Sequence, residues 1–426
     1  MNDTIFAPIT GRGGAVTVLR LSGVGTLGIV AALVGKVPPP RHASLKKLVW
    51  RGRLLDRALV VIFPGPQSFT GEDCAELSLH GGRAVLASVS AALIEAGARP
   101  AEPGEFSRRA HLNGRLDLLE AEAMADLIAA ETEAQRRLAV DGAGVLQESV
   151  ARWREELRQI MAQQEALIDF PDEDLPPEVE TRLLGRVAAL AEEMHGALNA
   201  APAAERLREG LEFVILGAPN AGKSTLMNAL AGEDVAIVSA IPGTTRDIVG
   251  TRIDLGGVPV HLTDTAGLRD TADEIEAEGV RRARQRAAKA DLIIAVAAAP
   301  GQEFLPVPEG VEVLHLVTKA DLLAAPVSGL AVSAASGAGM NDLRARLIDI
   351  AARLTDTKGA AALSRPRQIA CVRDTAQALD RALAIDEPEL RGEELRAAAH
   401  ALARLTGQIG VEEILDAVFS GFCIGK

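Results

Sequence analysis

The chain has no tyrosine, two tryptophans, nine phenylalanines and three cysteines in 426 residues. Aromatics at 3% leave too little for the stacking platforms that hold single-stranded bases. Cys74, Cys371 and Cys423 lie far apart and form no Cys-x-x-Cys pair, so neither a zinc knuckle nor a disulfide framework is expected. No apolar run approaches the roughly 18–20 residues of a membrane span. The longest, LIIAVAAAP, has the length of a buried strand. The opening MNDTIFAPIT carries no basic region ahead of an apolar core, so no secretory signal is expected. Together these absences point to a reduced, cytoplasmic protein without a membrane partner. A basic surplus is missing too: 45 Lys and Arg face 58 Asp and Glu, a net charge of -13. That balance argues against holding nucleic acid by bulk electrostatics and leaves a local basic patch or a basic partner.

What is present is a folding chain, with 48% hydrophobic residues. Its length exceeds one core and implies two or three domains. Up to about residue 113, TIFAPIT, AVTVLRLSG, RALVVIFPG and AELSLHG read as strands bounded by Gly and Pro, with a helix over 84–97. This is an α+β pattern. From Leu116 to Phe170 apolar residues recur at helical spacing, until Pro171, Pro176 and Pro177 stop them. A further helix is predicted over about 178–208. At Leu211 the pattern changes to apolar runs separated by helical segments: LEFVILG, VPVHLTDTAG, DLIIAVAAAP, VEVLHLVTKAD and LAVSAASG. That alternation predicts a mainly parallel, doubly wound sheet ending near 354. The remainder is helical, so an α/β unit is inserted into a helical domain. LTDTKGAAALS, near 354–364, reads as linker.

GAPNAGKS, Gly217 to Ser224, follows a strand and opens a helix, the context a phosphate-binding loop requires. Backbone N–H groups and the helix N-terminus face the phosphates, Lys223 reaches the β and γ groups, and Ser224 binds Mg²⁺. DTAG, Asp264 to Gly267, places Asp264 toward the metal and Gly267 toward the γ-phosphate, with Thr265 and Ala266 between. In TKAD, Thr318 to Asp321, the carboxylate suits guanine's N1–H and exocyclic amine, and the Lys319 stem packs on the base. Thr318 stands where Asn is usual. SAASG supplies Ser333 and Ala334 behind the base. Four motifs in this order make a guanine-nucleotide site. Two catalytic parts are absent: Leu268 follows DTAG where Ras-like enzymes carry a water-orienting Gln, and no arginine finger is evident. Arg246 in GTTRD reads either as a finger or as an ion-pair partner of nearby carboxylates.

With these motifs, GRGG (11–14), FPGPQSFTGED (63–73), HGG (80–82), PGEFSRRA (103–110), IDFPDED (168–174), IPGTTRD (241–247), DTAGLR and the terminal FCIGK give a full-length resemblance. The chain resembles the MnmE (TrmE) family, potassium-activated GTPases of bacterial wobble-uridine tRNA modification. The resemblance implies a multidomain fold: an N-terminal α+β folate-binding-like and dimerisation domain (1–114), a discontinuous helical domain (115–208 and 355–426) and an inserted Ras-like α/β P-loop GTPase domain (209–354). It implies K⁺ held by Asn220, Ser239, Ile241 and Thr244, in place of a finger. It implies Thr245 on Mg²⁺ and Glu276 positioning the attacking water, beside Lys223 in catalysis. The same resemblance extends the GTP site over Asn220, Ala221, Gly222, Lys223, Ser224, Thr225, Ser239, Thr244 and Thr245. Arg20, Glu76, Arg115 and Lys426 match the contacts to a tetrahydrofolate derivative, 5-formyl or 5,10-methylene. Arg115 replaces a more familiar Lys, and His111 a usual Phe; charge is kept at 115 but its geometry changes. The apolar tail of Phe422, Cys423 and Ile424 is expected to dock so that Cys423 and Lys426 lie beside the folate; Cys423 reads as a reactive thiol or as a small buried residue. Implied partners are a second copy, an FAD-dependent (MnmG/GidA-like) subunit in a heterotetramer, and tRNA. FAD would belong to the partner, since this chain has no dinucleotide fingerprint. An RNA-binding GTPase of ribosome assembly is the alternative, and it predicts a basic domain. A dynamin-like GTPase predicts a membrane segment. Neither feature is visible in the sequence.

Overall fold

A computed structural model describes residues 3–11, 13–169, 177–233, 250–264, 287–323, 329–359, 361–407, 418, 422 and 425. The chain divides into two compact units, residues 1–125 with 403–426, and residues 126–402.

The first unit is built on a six-stranded sheet, comprising β1 (Thr4–Pro8), β2 (Val16–Ser22), β3 (Ser44–Trp50), β4 (Arg53–Phe63), β5 (Cys74–His80) and β6 (Ala98–Pro100) in the order β3-β4-β5-β2-β1-β6. Only β1 and β6 pair in parallel. Because side chains alternate along a strand, Leu19, Leu21, Leu77, Leu79, Val60 and Ile62 share one face. Helices α1 (Thr26–Val34) and α2 (Arg83–Glu95) cover that face through Val30, Leu33, Val89 and Leu93. The other face carries Ile5 and Ala7 under Phe106 of α3 (Glu105–Leu112), with Phe69 packed against them. The polar residues of the first unit discussed below lie on this second face. Sequence periodicity identifies β1, β2, β4, β5 and α2, but not β3, β6, α1 or α3.

The helices α4 (Leu118–Ala129), α5 (Glu133–Arg137), α6 (Ala143–Asp169) and α7 (Pro177–Glu209) follow, with a π-helical turn at Leu138–Gly142. Thr132 caps α5 reciprocally with Gln135. In the second unit, Trp153, Leu157 and Ile160 of α6 recur every three to four residues and are all buried.

Between α7 and the later helices lies a second sheet of β7 (Leu211–Gly217), β8 (Gly250–Leu255), β9 (Val258–Asp264), β10 (Leu292–Ala298), β11 (Val313–Thr318) and β12 (Leu330–Ala331). Its order is β12-β11-β10-β7-β9-β8, parallel except for the β8–β9 hairpin. With α8 (Lys223–Glu233) opening directly after the loop at β7, this is a Ras-like doubly wound arrangement. β8 is absent from the sequence reading because TRIDL alternates weakly. The crossover from β10 to β11, residues 299–312, contains no helix and runs as a Pro-rich loop. The last helices are α9 (Met340–Leu354), α10 (Pro366–Leu383) and α11 (Pro388–Thr406). The segment expected as linker is in part core: Leu363 is fully buried, and Ala361, Ala362 and Ser364 are buried beside it. Its small apolar residues fill space, which composition alone does not distinguish from a spacer.

Candidate functional site

GAPNAGKS, TKAD and SAASG leave the C-terminal ends of β7, β11 and β12, and Asp264 of DTAG ends β9, so these residues share one edge of the sheet. Ligands of such sheets bind in the crevice outside these ends. Within the loop, Asn220 is left-handed at φ 62, a conformation Asn tolerates better than most side chains. Lys223 is buried, and its Nζ donates to the carbonyls of Gly217 and Ala218 at 2.9 Å each. Burial pulls its ammonium below lysine's ordinary pKa, while the Asp264 carboxylate acts the other way. The Ser224 hydroxyl donates to Asp264 Oδ2 at 2.6 Å. A hydroxyl and a carboxylate side by side at a phosphate loop are the oxygen donors a hard Mg²⁺ takes. Thr225 is exposed on the first turn of α8.

At the base-recognition end, buried Thr318 donates to Ala221 C=O at 2.6 Å and lies 3.3 Å from Ala297 C=O. The residue that departs from the usual Asn therefore ties its loop to the phosphate loop. Lys319 is left-handed at φ 55 and leads into a 3₁₀ turn on which Asp321 is exposed. The Ala320 N–H donates to Val332 C=O at 3.0 Å, joining this turn to the next loop. There Ser333 is buried, with Ala334 half-buried beside it, and the Ser333 hydroxyl accepts from the Ser336 N–H at 3.2 Å. Ser239, Ile241, Thr244, Thr245, Thr265, Ala266, Gly267 and Glu276 lie outside the described residues, as do Cys423 and Lys426.

In the first unit, Arg20 and Glu76 are register partners on β2 and β5. Arg20 Nη2 donates to Glu76 Oε1 at 2.7 Å and Nε to the same oxygen at 3.0 Å. The guanidinium lies 4.8 Å from the Phe69 ring centroid, a cation–π distance. Phe69 belongs to the loop following FPGPQS, and its role is not legible in the sequence. In the same loop, a Cβ at Gly71 would stand 3.2 Å from Arg115 Cγ, so Arg115 packs directly on it. Asn113 Nδ2 donates to Thr70 C=O at 2.7 Å and holds the loop. Arg20 and Glu76 thus touch, while Arg115 joins them only through the intervening loop.

Below them lies a charged network. Arg109, 1% exposed, bonds Asp3, Glu72 and Glu105, and Arg99 bonds Asp3 and Glu105. Burial resists ionisation of Glu105, but hydrogen bonds from Arg99, the Glu102 N–H and Arg109 outweigh it and hold its pKa below the ordinary range. Ser22 donates to Glu72 Oε2 at 2.7 Å and lies 2.6 Å from the Thr70 hydroxyl. The network fixes the loop that carries Phe69.

The tail also reaches this unit. Phe422 is buried with Leu118 and Ala121, and a Cβ on Gly425 would stand 2.2 Å from Pro8 C=O. Gly425 has φ 105, so only glycine fits there without strain. Pro8 follows Ala7, the register partner of Arg20.

Two family models match the chain: "GTP-binding protein TrmE N-terminus" over residues 4–115, and "MnmE helical domain" over residues 118–423. The tRNA modification GTPase MnmE of Acidiphilium cryptum is 62% identical, covering 100% of this chain and 99% of that one. That of Gluconacetobacter diazotrophicus is 53% identical over 99% and 98%, and that of Rhodospirillum rubrum 48% identical over 100% and 99%.

Proposed function

The chain belongs to the MnmE family of tRNA modification GTPases and is a GTP-hydrolysing enzyme of that kind, and from that premise we propose its chemistry. It serves a complex that adds an aminomethyl or carboxymethylaminomethyl group to C5 of the wobble uridine. A tetrahydrofolate derivative supplies the one-carbon unit and an FAD-dependent partner the redox step. The observation that carries this reading is the presence of two separate cradles in one chain. One is the phosphate loop with the Ser224–Asp264 pair. The other is the Arg20–Glu76 pair over Phe69, with the C-terminal tail lying against the neighbouring strand.

In the first cradle, the loop N–H groups and Lys223 hold the β and γ phosphates, Ser224 holds Mg²⁺ directly, and Asp264 holds it through water. Asn220, with Ser239, Ile241 and Thr244, supplies oxygens to K⁺, whose charge would stand where an arginine finger acts. Thr245 completes the Mg²⁺ ligands, and Glu276 orients the water that Leu268 cannot. In the second cradle, Glu76 accepts from pterin ring N–H groups. Arg20, Arg115 and Lys426 face the carboxylates of the folate tail. The domain bounds are those set out from the sequence, with a homodimer, a heterotetramer with the FAD subunit, and a cytoplasmic setting.

The deciding measurement is GTP turnover in KCl and in NaCl at equal ionic strength. Strong acceleration by K⁺ alone is expected. Equal, slow rates in both salts would remove Asn220 and its partners as a cation site and direct attention to a finger from the partner.

A further inference from the structure

The phosphate loop is gripped from the side by a residue that no motif contains. Gln302 lies in the helix-free crossover between β10 and β11. Its Oε1 accepts from the Ala298 N–H at 2.8 Å, and its Nε2 reaches Pro219 C=O at 3.4 Å. Its own N–H donates to Ala298 C=O at 3.2 Å, closing the turn in which it sits. One carboxamide therefore spans the end of β10 and the phosphate loop, with each of its two ends bonded to backbone.

The placement of this bridge matters. Pro219 immediately precedes Asn220, and Ala221, held by Thr318, immediately follows it. Lys223 occupies the carbonyls of Gly217 and Ala218. Among the described residues, side chains thus donate to four of the five carbonyls from 217 to 221, all but that of Asn220. The left-handed backbone at Asn220 is sparsely populated for a side-chain-bearing residue, and it persists only where neighbours over-determine it.

We propose that Gln302 is a positioning residue for the phosphate loop: with Thr318 it brackets Asn220 and sets its left-handed pose. The crossover loop then acts as a brace on the nucleotide site, so its length and composition bear on nucleotide retention. Where Asn220 also serves K⁺, the brace sets cation affinity as well; that part rests on the function proposed above.

Two substitutions separate the brace from the turn. Gln302→Glu keeps the acceptor for the Ala298 N–H but places a carboxylate oxygen against Pro219 C=O. Gln302→Ala removes both bonds. Release of a fluorescent GDP, measured with Mg²⁺ in NaCl, reads the brace without K⁺. Loss of one neutral hydrogen bond corresponds to about a fivefold change, so release about fivefold faster is expected for both variants, with thermal unfolding of Gln302→Glu unchanged. In KCl, half-maximal stimulation of turnover is expected at several-fold higher K⁺, with the rate at saturating K⁺ close to wild type. Release rates within twofold of wild type for both variants would overturn the proposal. If wild type ignores K⁺, the potassium reading fails, while the release rates still decide on Gln302.

Discussion

Single residues in this chain do work that their motif positions do not announce. Thr318 replaces the Asn usual at the head of the guanine motif, yet its hydroxyl makes a 2.6 Å bond to the phosphate loop. Removing that donor leaves Ala221 C=O unpaired in a buried place, which costs about 1–3 kcal/mol. Thr318→Val is therefore expected to weaken GDP binding roughly tenfold, whereas Thr318→Asn, which retains a donor, holds near wild type. Titration with fluorescent GDP checks both, and equal affinity in Thr318→Val would show the tether to be idle. Arg20 is a parallel case. Sequence resemblance marks it, but its clamp between Glu76 and the Phe69 ring depends on a loop 49 positions further along the chain, and contacts of that separation carry no local pattern.

At the scale of elements, the first unit's sheet sorts its two faces by the period of two. One face is sealed by α1 and α2; the other gathers Arg20, Glu76, Ser22 and the loop above them. Near the C-terminus, Phe422 and Gly425 add contacts from positions that are neither strand nor helix. The closeness of Gly425 to Pro8 leaves no room for a side chain at 425, so Gly425→Val is expected to push the tail off β1. Calorimetry with 5-formyltetrahydrofolate reads the consequence: binding weaker by tenfold or more, roughly the loss of one or two charge-assisted bonds, with GTP turnover in the isolated chain unchanged. Folate affinity equal to wild type would separate the tail from that cradle. The second sheet shows where local pattern fails. The β10–β11 crossover runs without the helix that an alternating reading expects, and Gln302 acts from within it.

Across the first unit as a whole, buried charge sets the response to pH. Asp3 and Glu105 are both held below the ordinary carboxylate range; burial opposes this, and the bonds from Arg99 and Arg109 prevail. A depressed carboxylate stabilises the fold above its unfolded pKa, and the contribution is lost as pH falls through the folded value. Stability of this unit is thus expected to be level from about pH 6 to 8 and to fall below about pH 4, toward the region where these groups protonate. The urea midpoint of Trp153→Phe, whose remaining Trp50 reports on this unit, measures it. Glu105→Gln should lower the plateau and flatten the acid slope. An unaltered slope would place the acid sensitivity elsewhere.

The sequence by itself determined the fold class, the order of the nucleotide motifs and the family, because these rest on local pattern: apolar period, Gly and Pro punctuation, and short motifs in a fixed succession along one sheet edge. It also marked Arg20 and Glu76, though not that they pair. The tertiary structure decided what depends on distant segments meeting. Thr318 reaches Ala221 across 97 positions, and Gln302 reaches Pro219 across 83. Phe69 lies under Arg20, and Leu363 is buried in a stretch that reads as linker. A lone Gln in a loop, a Phe after a Pro-rich turn and an alanine-rich spacer have no periodicity to read. Their roles come from side-chain reach and burial once the sheets are formed.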